Sequence, residues 1–518
     1  MSFEIIRSKS DKFKEEYPLI KKKAELKKLN EYEPTLKEIE QVYTIIKDFI
    51  IEKKRKVYGG YALHLLLKAK DKDAGIYDDL DLKQADIEFY SSTPIEDMIE
   101  LCNRLYKAGL KPISGQEALH PETYKVFVNY KAYCDITYMP TNINIRSRFI
   151  TIEKMNLIHP WFMMIDYFRM FSDPITSFWR LEKSFERYKL IEKYYPLPLI
   201  KKPINLQPYK NKEISETINS LFDFLSEKNT VLFTGFYAYN YYFHESNYSK
   251  NNNEFKYEFM PYLEIYSTSY IKDGIDVIEF INNLPKKIAS KLTYKEFYPF
   301  FQFYGYNFVI YYEDGTDMIP ILYMYSNNKR CIPFKNVKLV KFDNLKINTP
   351  IVSKSKTINI GCFDQNILHS LIILVKLRVD EDNDWNDVIY KLINGMVLFR
   401  NYYLETNKAT IYDDTVFQGF VVECMGEAVL LDRERRLLNE VRKKLGKPFS
   451  YKFDPSISKI PRKYSFANSS GNEITNSFKL KLKKENLTKN LLDEIESREI
   501  DRFKTDATDT TDTTEETE

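Results

Sequence analysis

A short motif occurs twice along the chain, and this repeat constrains the fold more than any other feature of the sequence. Thr234–Ala238 (TGFYA) matches Tyr58–Ala62 (YGGYA), and Tyr262–Ser267 (YLEIYS) matches Asp86–Ser91 (DIEFYS). Both matches have the same offset of 176 residues, from 59 to 235 and from 88 to 264. A shared offset is not expected from chance similarity in a chain rich in Tyr and Ile. The sequence therefore predicts two homologous units.

A third match and two helical stretches extend the repeat. Tyr312–Asp317 resembles Tyr130–Asp135, at an offset of 182 residues, from 135 to 317. Helical patterns follow each unit, from Pro140 to about residue 190 and again over Asn366–Arg400. The predicted fold class is α+β, with two tandem mixed α/β units, each followed by helices.

The spacing of apolar residues predicts the elements of the first unit. The predicted helices are Thr35–Ile51, Tyr61–Leu67 and Pro94–Tyr106, and the predicted strands are Val57–Tyr58, Ala85–Tyr90, Lys125–Tyr130 and Ala132–Tyr138. Near the other end of the chain, Asp414–Leu445 is expected to be mainly helical.

Changes of pattern along the chain predict six regions. They are an N-terminal helical region (1–55), the first mixed unit (56–145), a helical connector (146–210), the second mixed unit (211–350), a mainly helical region (351–465) and a tail that is basic and then acidic (466–518). The acidic, Thr-rich end of that tail is expected to be disordered.

Net charge and aromatic content are compatible with a nucleic-acid partner without requiring one. The net charge is +3, and it becomes more positive when the acidic stretch Asp506–Glu518 is left out. A basic remainder suits a nucleic acid or a nucleotide, although an ordinary solvated surface also explains it. The 40 Tyr and 35 Phe residues are potential platforms for bases, or they reflect an AT-rich genome.

The cysteines and histidines indicate neither disulfides nor zinc. The five Cys residues are widely spaced and form no C-x-x-C pair, so reduced thiols are expected. The five His residues are scattered and lack metal-ligand spacing. No apolar run approaches the ~20 residues of a membrane-spanning helix.

Three acidic residues of the first unit form the candidate catalytic set. Asp86 and Glu88 lie two positions apart on a predicted strand, so their side chains project from the same face. Asp135 lies on a later predicted strand, and if the two strands are neighbours the three carboxylates converge. Clustered carboxylates repel one another unless cations bind to them. Oxygen ligands of this kind are the ones that Mg²⁺ prefers. Two such ions support in-line phosphoryl transfer.

Gly59 and Gly60 lie between a predicted strand and a predicted helix. There they bring backbone N–H groups close to a triphosphate, an approach that a Cβ atom would block. The pair Asp79 and Asp81 also satisfies the alternation of a strand. It is the weaker candidate, because Lys83 and Gln84 follow it and because the second unit does not reproduce its surroundings.

The second unit is expected to be catalytically inactive. Phe236 stands in place of Gly60, and Tyr262 stands in place of Asp86. Glu264 and Asp317 remain, which is one carboxylate too few for two metal ions. A degenerate copy that keeps its fold would serve as a scaffold or an RNA-binding surface.

A basic stripe follows the first unit. Arg180, Lys183 and Arg187 recur at spacings that place them on one side of a helix. The stripe could bind a triphosphate or an RNA backbone, and an ordinary solvated face is an equally simple interpretation. His159, which precedes Pro160 and Trp161, is interpreted as a helix cap or a core residue rather than as a catalyst.

The glycine pair, the acidic pair and the third acidic residue resemble the polymerase-β-like nucleotidyltransferase superfamily. Within it, the chain resembles the poly(A) polymerase catalytic subunits of nucleocytoplasmic large DNA viruses. The residues that carry this likeness are Val57–Leu63, Ala85–Ser91, Cys134–Tyr138 and the stretch from His159–Trp161 to Trp179–Lys183.

The resemblance implies transfer of AMP from ATP to RNA 3′ ends, with release of pyrophosphate, in the host cytoplasm or the virion. It also implies that Asp86, Glu88 and Asp135 ligate Mg²⁺ or Mn²⁺ and that Gly59 and Gly60 hold the ATP phosphates. The implied partners are RNA, ATP and either a second copy of the chain or a methyltransferase-like subunit. Two alternatives stay open: a nucleotidyltransferase for another acceptor, and a non-catalytic RNA-binding or scaffold subunit.

Overall fold

The structure is a computed structural model that describes most of the chain. The described residues are 10–32, 34–120, 122–200, 202–250, 252–327, 330–379, 385–426, 436, 439–440 and 452–457. The predicted tail, 466–518, lies outside them. The chain divides into two compact units: the first comprises Met1–Tyr138, Phe149–Ile158 and Arg442–Lys463, and the second comprises the remaining residues. The finer division into six regions stays a prediction.

Helices and strands alternate in the first part of the chain. In chain order they are α1 (Ser10–Glu31), α2 (Leu36–Glu52), β1 (Lys56–Tyr58), α3 (Gly59–Lys68), α4 (Asp79–Leu82), β2 (Ile87–Ser91), α5 (Pro94–Lys107), β3 (Ile113–Glu117), β4 (Thr123–Val128), β5 (Lys131–Tyr138), α6 (Thr141–Arg146), β6 (Phe149–Ile152), β7 (Met155–Ile158), α7 (Pro160–Phe171), α8 (Pro174–Ser177) and α9 (Leu181–Tyr194). A short 3₁₀ turn, Phe178–Arg180, precedes α9.

The later elements repeat much of this order. They are α10 (Lys212–Leu225), β8 (Val231–Thr234), α11 (Gly235–Ser246), β9 (Leu263–Ser267), α12 (Tyr270–Asn282), α13 (Lys286–Ala289), β10 (Leu292–Phe297), β11 (Asn307–Asp314), β12 (Asp317–Ser326), β13 (Ile332–Lys341), β14 (Ile351–Gly361), α14 (Phe363–Val379), α15 (Asn386–Asn407), β15 (Cys424–Met425) and β16 (Lys452–Phe453). Within the described ranges, no helix is long and apolar enough to cross a membrane.

The helix predicted over Thr35–Ile51 is present as α2. Its N-cap is Thr35, whose side-chain oxygen accepts a hydrogen bond from the backbone N–H of Glu38. Its apolar stripe is buried (Ile39, Val42, Tyr43, Ile46, Phe49 and Ile50), which is what the spacing predicts. The predicted strands and helices around the candidate site are likewise confirmed to within a few residues.

Each unit contains one large sheet, and seven strands have the same order in both, while the eighth (β16 or β15) lies at opposite edges. The first has the strand order β16-β3-β4-β5-β2-β1-β7-β6, and the second has the order β10-β11-β12-β9-β8-β14-β13-β15. In both, the strand before the glycine motif (β1 or β8) pairs antiparallel with the strand of the second motif (β2 or β9). That strand pairs parallel with the third strand after it in the chain (β5 or β12). The predicted tandem repeat is therefore confirmed.

The expectation of helices alone after Pro140 is wrong, because β6 and β7 form a hairpin there. β7 pairs parallel with β1 and so extends the first sheet. The turn residues Glu153 and Lys154 both have positive φ values, 49° and 65°. Turns with positive φ at both positions usually contain Asn or Gly. Neither residue type occurs at 153 or 154, so the sequence does not predict a hairpin there.

Two further expectations are corrected near the end of the chain. Residues 414–426 are irregular except for the short β15, so this part of the predicted helix is absent, and most of 427–445 lies outside the described residues. Cys331 and Cys424 form a disulfide, with Cα atoms 5.2 Å apart. The pairing of β13 with β15 brings the two cysteines together across 93 residues, and a separation of this length does not predict a disulfide.

Candidate active site

Three neighbouring strands of the first sheet bring the candidate residues together. Tyr58 at the end of β1 pairs with Glu88 on β2, and Glu88 pairs in parallel register with Asp135 on β5. Residues paired in this way project from the same face of a sheet, side by side. The assumption that the strand of Asp135 lies beside that of Glu88 is therefore confirmed.

Gly59 lies in direct contact with Glu88. It begins α3 with a φ of +73°, a conformation that residues with a Cβ atom rarely adopt. A Cβ atom at this position would lie only 1.6 Å from Oε2 of Glu88. Gly60 is the next residue of α3, and Tyr58 makes no side-chain cap to the helix. Tyr58 therefore does not cap the N–H groups in the first turn of α3. These groups lie next to the carboxylate of Glu88.

Asp86 immediately precedes β2, two residues before Glu88. It is exposed to solvent. The pKa of its carboxyl is raised, mainly because surrounding protein reduces its hydration and secondly because of the negative charge of Asp135. The two carboxylates are therefore close enough to repel each other.

Lys125 forms an ion pair with Asp135 that the sequence analysis did not predict. Its Nζ lies 2.7 Å from both carboxylate oxygens, and the two residues are direct partners of the β4–β5 hairpin. A β-bulge between Val126 and Phe127 sets this register. An uninterrupted hairpin would have placed Lys125 opposite Cys134 instead.

The three carboxylates are suitable ligands for a divalent cation, but their side chains do not converge on a common point. Among the described residues, no group of three or more His, Cys, Asp or Glu side chains is arranged to hold a metal ion. Asp135 is instead paired with Lys125. The donor set is nevertheless all oxygen, the type of ligand that Mg²⁺ prefers.

The competing pair, Asp79 and Asp81, does not lie on a strand. Both residues belong to the short helix α4, whose N-cap is Asp78. Side chains two positions apart on a helix do not share a face. The preference for Asp86 and Glu88 as a same-face pair is therefore supported by the geometry.

The second unit keeps the glycine contact but has replaced the residues around it. Gly235 has a φ of +62°, and a Cβ atom there would lie 1.8 Å from Oε2 of Glu264. The strand register pairs Glu264 with Tyr323. The counterpart of Asp135 is therefore Tyr323, and the sequence match to Asp317 is wrong, because Asp317 is an exposed residue beside the β11–β12 turn.

Aromatic rings occupy the positions of the lost carboxylates. Tyr262 precedes β9 as Asp86 precedes β2, and its ring centroid lies 4.9 Å from that of Tyr323. Phe236, in place of Gly60, lies 5.5 Å from Tyr262, and Trp385 lies 6.0 Å from it. The contacts of Tyr262 with Tyr323 and Phe236 are edge-to-face and that with Trp385 is tilted, so aromatic rings pack together at these positions.

The remaining carboxylate of the second unit, Glu264, is buried against a histidine. Oε1 of Glu264 lies 2.9 Å from Nε2 of His369, and Nδ1 of His369 lies 3.0 Å from the Tyr266 hydroxyl. The side chains of His369 and Glu264 are only 1% and 6% exposed. With His369 as its partner and almost no exposure to solvent, Glu264 has a structural role, and the second unit is degenerate as predicted.

The basic stripe and the histidine of the connector lie in the second unit. Arg180 ends the 3₁₀ turn, and Lys183 and Arg187 are on α9. The structure thus places Arg180 and Lys183 in a different unit from Asp86, Glu88 and Asp135. His159 is the N-cap of α7, and its Nδ1 accepts a hydrogen bond from the backbone N–H of Trp161, which confirms the interpretation of a cap.

Known proteins resemble this chain over most of its length. A family model described as "Poly(A) polymerase catalytic subunit" matches residues 44–177, and the model of the C-terminal part of the mimivirus catalytic subunit matches residues 189–484. A protein of Acanthamoeba polyphaga mimivirus named as a poly(A) polymerase catalytic subunit is 34% identical over 490 residues, which are 89% of this chain and 81% of that protein. The chain belongs to the poly(A) polymerase catalytic subunit family.

Other members of the family extend the comparison. The crystal structure of the Megavirus polyadenylate synthase matches with a TM-score of 0.78 and 32% identity, over 90% of this chain and 92% of that one. A poly(A) polymerase catalytic subunit of African swine fever virus is 34% identical over 188 residues, which are 34% of this chain and 37% of that protein. The fold of both units is thus shared with a solved member of the poly(A) polymerase family.

Proposed function

We propose that this chain is a template-independent polynucleotide adenylyltransferase, which transfers AMP from ATP to RNA 3′ ends and so polyadenylates mRNA. One observation carries the proposal. The first sheet places Glu88 beside Asp135, with Asp86 two residues before Glu88 and Gly59 packed against it. The homologous sheet has tyrosines at two of these three acidic positions. The names of the related viral proteins support the same activity.

The reaction forms one bond and breaks another at the α-phosphorus of ATP. The RNA 3′-oxygen bonds to that phosphorus, the bond to the bridging oxygen of the β-phosphate breaks, and pyrophosphate leaves. Asp86, Glu88 and Asp135 are the residues that would hold Mg²⁺ or Mn²⁺. When bound, such ions lower the pKa of the attacking hydroxyl and offset the charge that develops on the leaving oxygen.

Backbone and cationic groups of the chain would bind the phosphates. Gly59 and Gly60 present the first N–H groups of α3, and the N-terminal end of a helix favours anions. Arg180 and Lys183 are further candidates for phosphate contacts, since both are exposed cations on one side of a helix. The phosphates that these two residues contact would be those of the ATP triphosphate or those of the RNA backbone.

The proposal also covers the partners of the protein and its location. The family relationship to viral proteins favours action in the host cytoplasm or the virion. A second copy of the chain, or a methyltransferase-like subunit, would be the protein partner that helps to retain the RNA. Size-exclusion chromatography with light scattering distinguishes a homodimer from a monomer that awaits another subunit.

A primer-extension assay tests the proposed activity. The purified full chain is incubated with a labelled oligo(A) primer, Mg²⁺ or Mn²⁺, and each of the four NTPs separately. Extension with ATP alone is expected, and Asp86→Ala should abolish it. Extension of a different acceptor, or incorporation of all four nucleotides equally, would replace the proposal with another nucleotidyltransferase activity, and no incorporation by the folded protein would favour a binding subunit.

A further inference from the structure

Two large aromatic side chains lie exposed beside the basic stripe. Phe178 and Trp179, on the 3₁₀ turn before α9, are 73% and 65% exposed. The guanidinium of Arg180 lies 4.1 Å from the centroid of the Trp179 ring. We call the set Phe178, Trp179, Arg180, Lys183 and Arg187 the aromatic–basic surface. Adjacent exposed rings of this size are unusual on a soluble protein and indicate a binding surface.

Phe178 and Trp179 are exposed, although a nearby aromatic residue on α9 is packed. Phe185 on α9 contacts Phe171 and Phe420, with centroids 6.1 and 6.3 Å away. Ser184 and Ile191 are buried on the same helix. The helix therefore has a packed side that needs neither Phe178 nor Trp179, and these two rings do not contribute to that core.

The three cations of the surface repel one another. The positive charge of Arg187 is the main reason that the pKa of Lys183 is lowered, followed by partial desolvation and by the charge of Arg180. Cations held this close together are stabilised by a bound anion. Their spacing along the helix suits a chain of phosphates better than a single point charge, because the three positions span about two turns.

We infer that the aromatic–basic surface binds the single-stranded RNA that the enzyme extends, with bases stacked on Phe178 and Trp179 and phosphates contacted by Arg180, Lys183 and Arg187. The inference rests on the proposed function and names the RNA backbone, rather than the triphosphate, as the ligand of the basic stripe. Flat exposed rings next to cations are the combination that binds single strands without sequence preference. ATP offers one base and one triphosphate, whereas an RNA strand offers a base to each of the two rings and a phosphate to each of the three cations.

Equilibrium binding of RNA to the full chain tests this assignment. Fluorescence anisotropy of a labelled oligo(A) is measured with EDTA present, so that no extension occurs. Phe178→Ala combined with Trp179→Ala should weaken binding by about tenfold or more, because each stacked base contributes on that order. Arg180→Gln, Lys183→Gln and Arg187→Gln together should reduce the slope of log K against log salt by about 2, at about 0.7 per phosphate contact.

Matched substitutions elsewhere in the same unit serve as controls. Tyr412 is 74% exposed, so Tyr412→Ala removes an exposed ring without touching the surface. Lys189 is on the same helix but is paired with Glu186, with Nζ and Oε1 3.1 Å apart, so Lys189→Gln removes a nearby compensated charge. Both controls should bind oligo(A) like the unchanged protein, and circular dichroism should show that all variants are folded.

The outcomes separate this inference from the proposed function. If the unchanged protein extends oligo(A) with ATP but the surface variants bind RNA as tightly as the controls, the inference is wrong and the proposed function stands. If the unchanged protein neither binds nor extends RNA, both fail. If the surface variants lose binding to vesicles of anionic phospholipid while RNA binding is unchanged, the surface is a membrane contact and the inference is overturned.

Discussion

The two sheet units share a strand order and a glycine packed on a glutamate, but they use that glutamate differently. In the first unit, Glu88 lies beside Asp135 and two residues after the exposed Asp86, whose pKa is raised first by lost hydration and then by the charge of Asp135. In the second unit, Glu264 is buried against His369. A buried, partnered carboxylate contributes to the fold, whereas the carboxylates of the first unit stay candidates for metal binding. The same scaffold thus places one glutamate in a buried pair and the other in the candidate site.

The largest expected difference between the units is catalytic. Asp86→Ala should lower the extension rate by about a thousandfold, because it removes a ligand from the site that stabilises the developing charge. Tyr262→Ala, the matched change in the second unit, should leave the rate per folded molecule within about twofold of the unchanged protein. Single-turnover extension with saturating ATP measures both. A Tyr262→Ala protein that is folded but inactive would contradict the expectation that only the first unit is catalytic.

The next largest expected difference between the two units is in the free energy of unfolding. His369→Leu should lower the free energy of unfolding by about 3 kcal/mol, because it leaves Glu264 buried without its partner. Glu88→Gln in the first unit should change the unfolding free energy by less than about 1 kcal/mol and yet abolish extension. Urea denaturation followed by tryptophan fluorescence gives both values. Equal losses of stability would mean that the two glutamates have the same structural role.

The glycines allow a direct test of the shared contact. Gly59→Ala and Gly235→Ala should each destabilise the protein by about 1–3 kcal/mol, because both positions have positive φ and the new Cβ would displace the adjacent glutamate. Only Gly59→Ala should also reduce extension, since Glu88 rather than Glu264 belongs to the catalytic set. The same denaturation and extension assays apply. A loss of activity per folded molecule in Gly235→Ala would assign the second unit a part in catalysis.

The smallest predicted effect concerns Lys125, which has Val309 as its counterpart in the second sheet. Lys125→Met removes the cation that is paired with Asp135, so the affinity of the nucleotide-free protein for Mn²⁺ should rise about tenfold. Lys125→Arg keeps the charge and should bind Mn²⁺ much as the unchanged protein does. Electron paramagnetic resonance of free Mn²⁺ provides the measurement. Unchanged affinity in Lys125→Met would show that the lysine does not compete with the ion.

Local pattern was enough to predict much of the geometry of the candidate site. The alternation of a strand predicts that Asp86 and Glu88 share a face; Glu88 lies on β2 and Asp86 immediately precedes it, so the shared face stays a prediction. The glycine pair between strand and helix predicts a close approach, and Gly59 adopts the positive φ that requires glycine. The shared offset of 176 residues predicts the tandem units, which the matching strand orders confirm. Whether these residues bind metal and ATP stays a prediction.

Other features depended on contacts between distant parts of the chain. The match of Asp317 to Asp135 failed because the β11–β12 hairpin is longer than its counterpart, so that the register places Tyr323 beside Glu264. Lys125 reaches Asp135 only because a bulge shifts the β4–β5 pairing by one residue. His369, the partner of Glu264, lies 105 residues further along the chain.

The sequence by itself determined the duplicated architecture, the same-face carboxylates and the loss of one of them in the second copy. Tertiary structure decided which strand lies beside which, the partners of Asp135 and Glu264, and the pairing of Cys331 with Cys424. The physical reason is the range of the interactions. The direction of successive side chains follows from backbone dihedrals within a few residues, whereas register and side-chain partners result from packing between segments far apart in the chain.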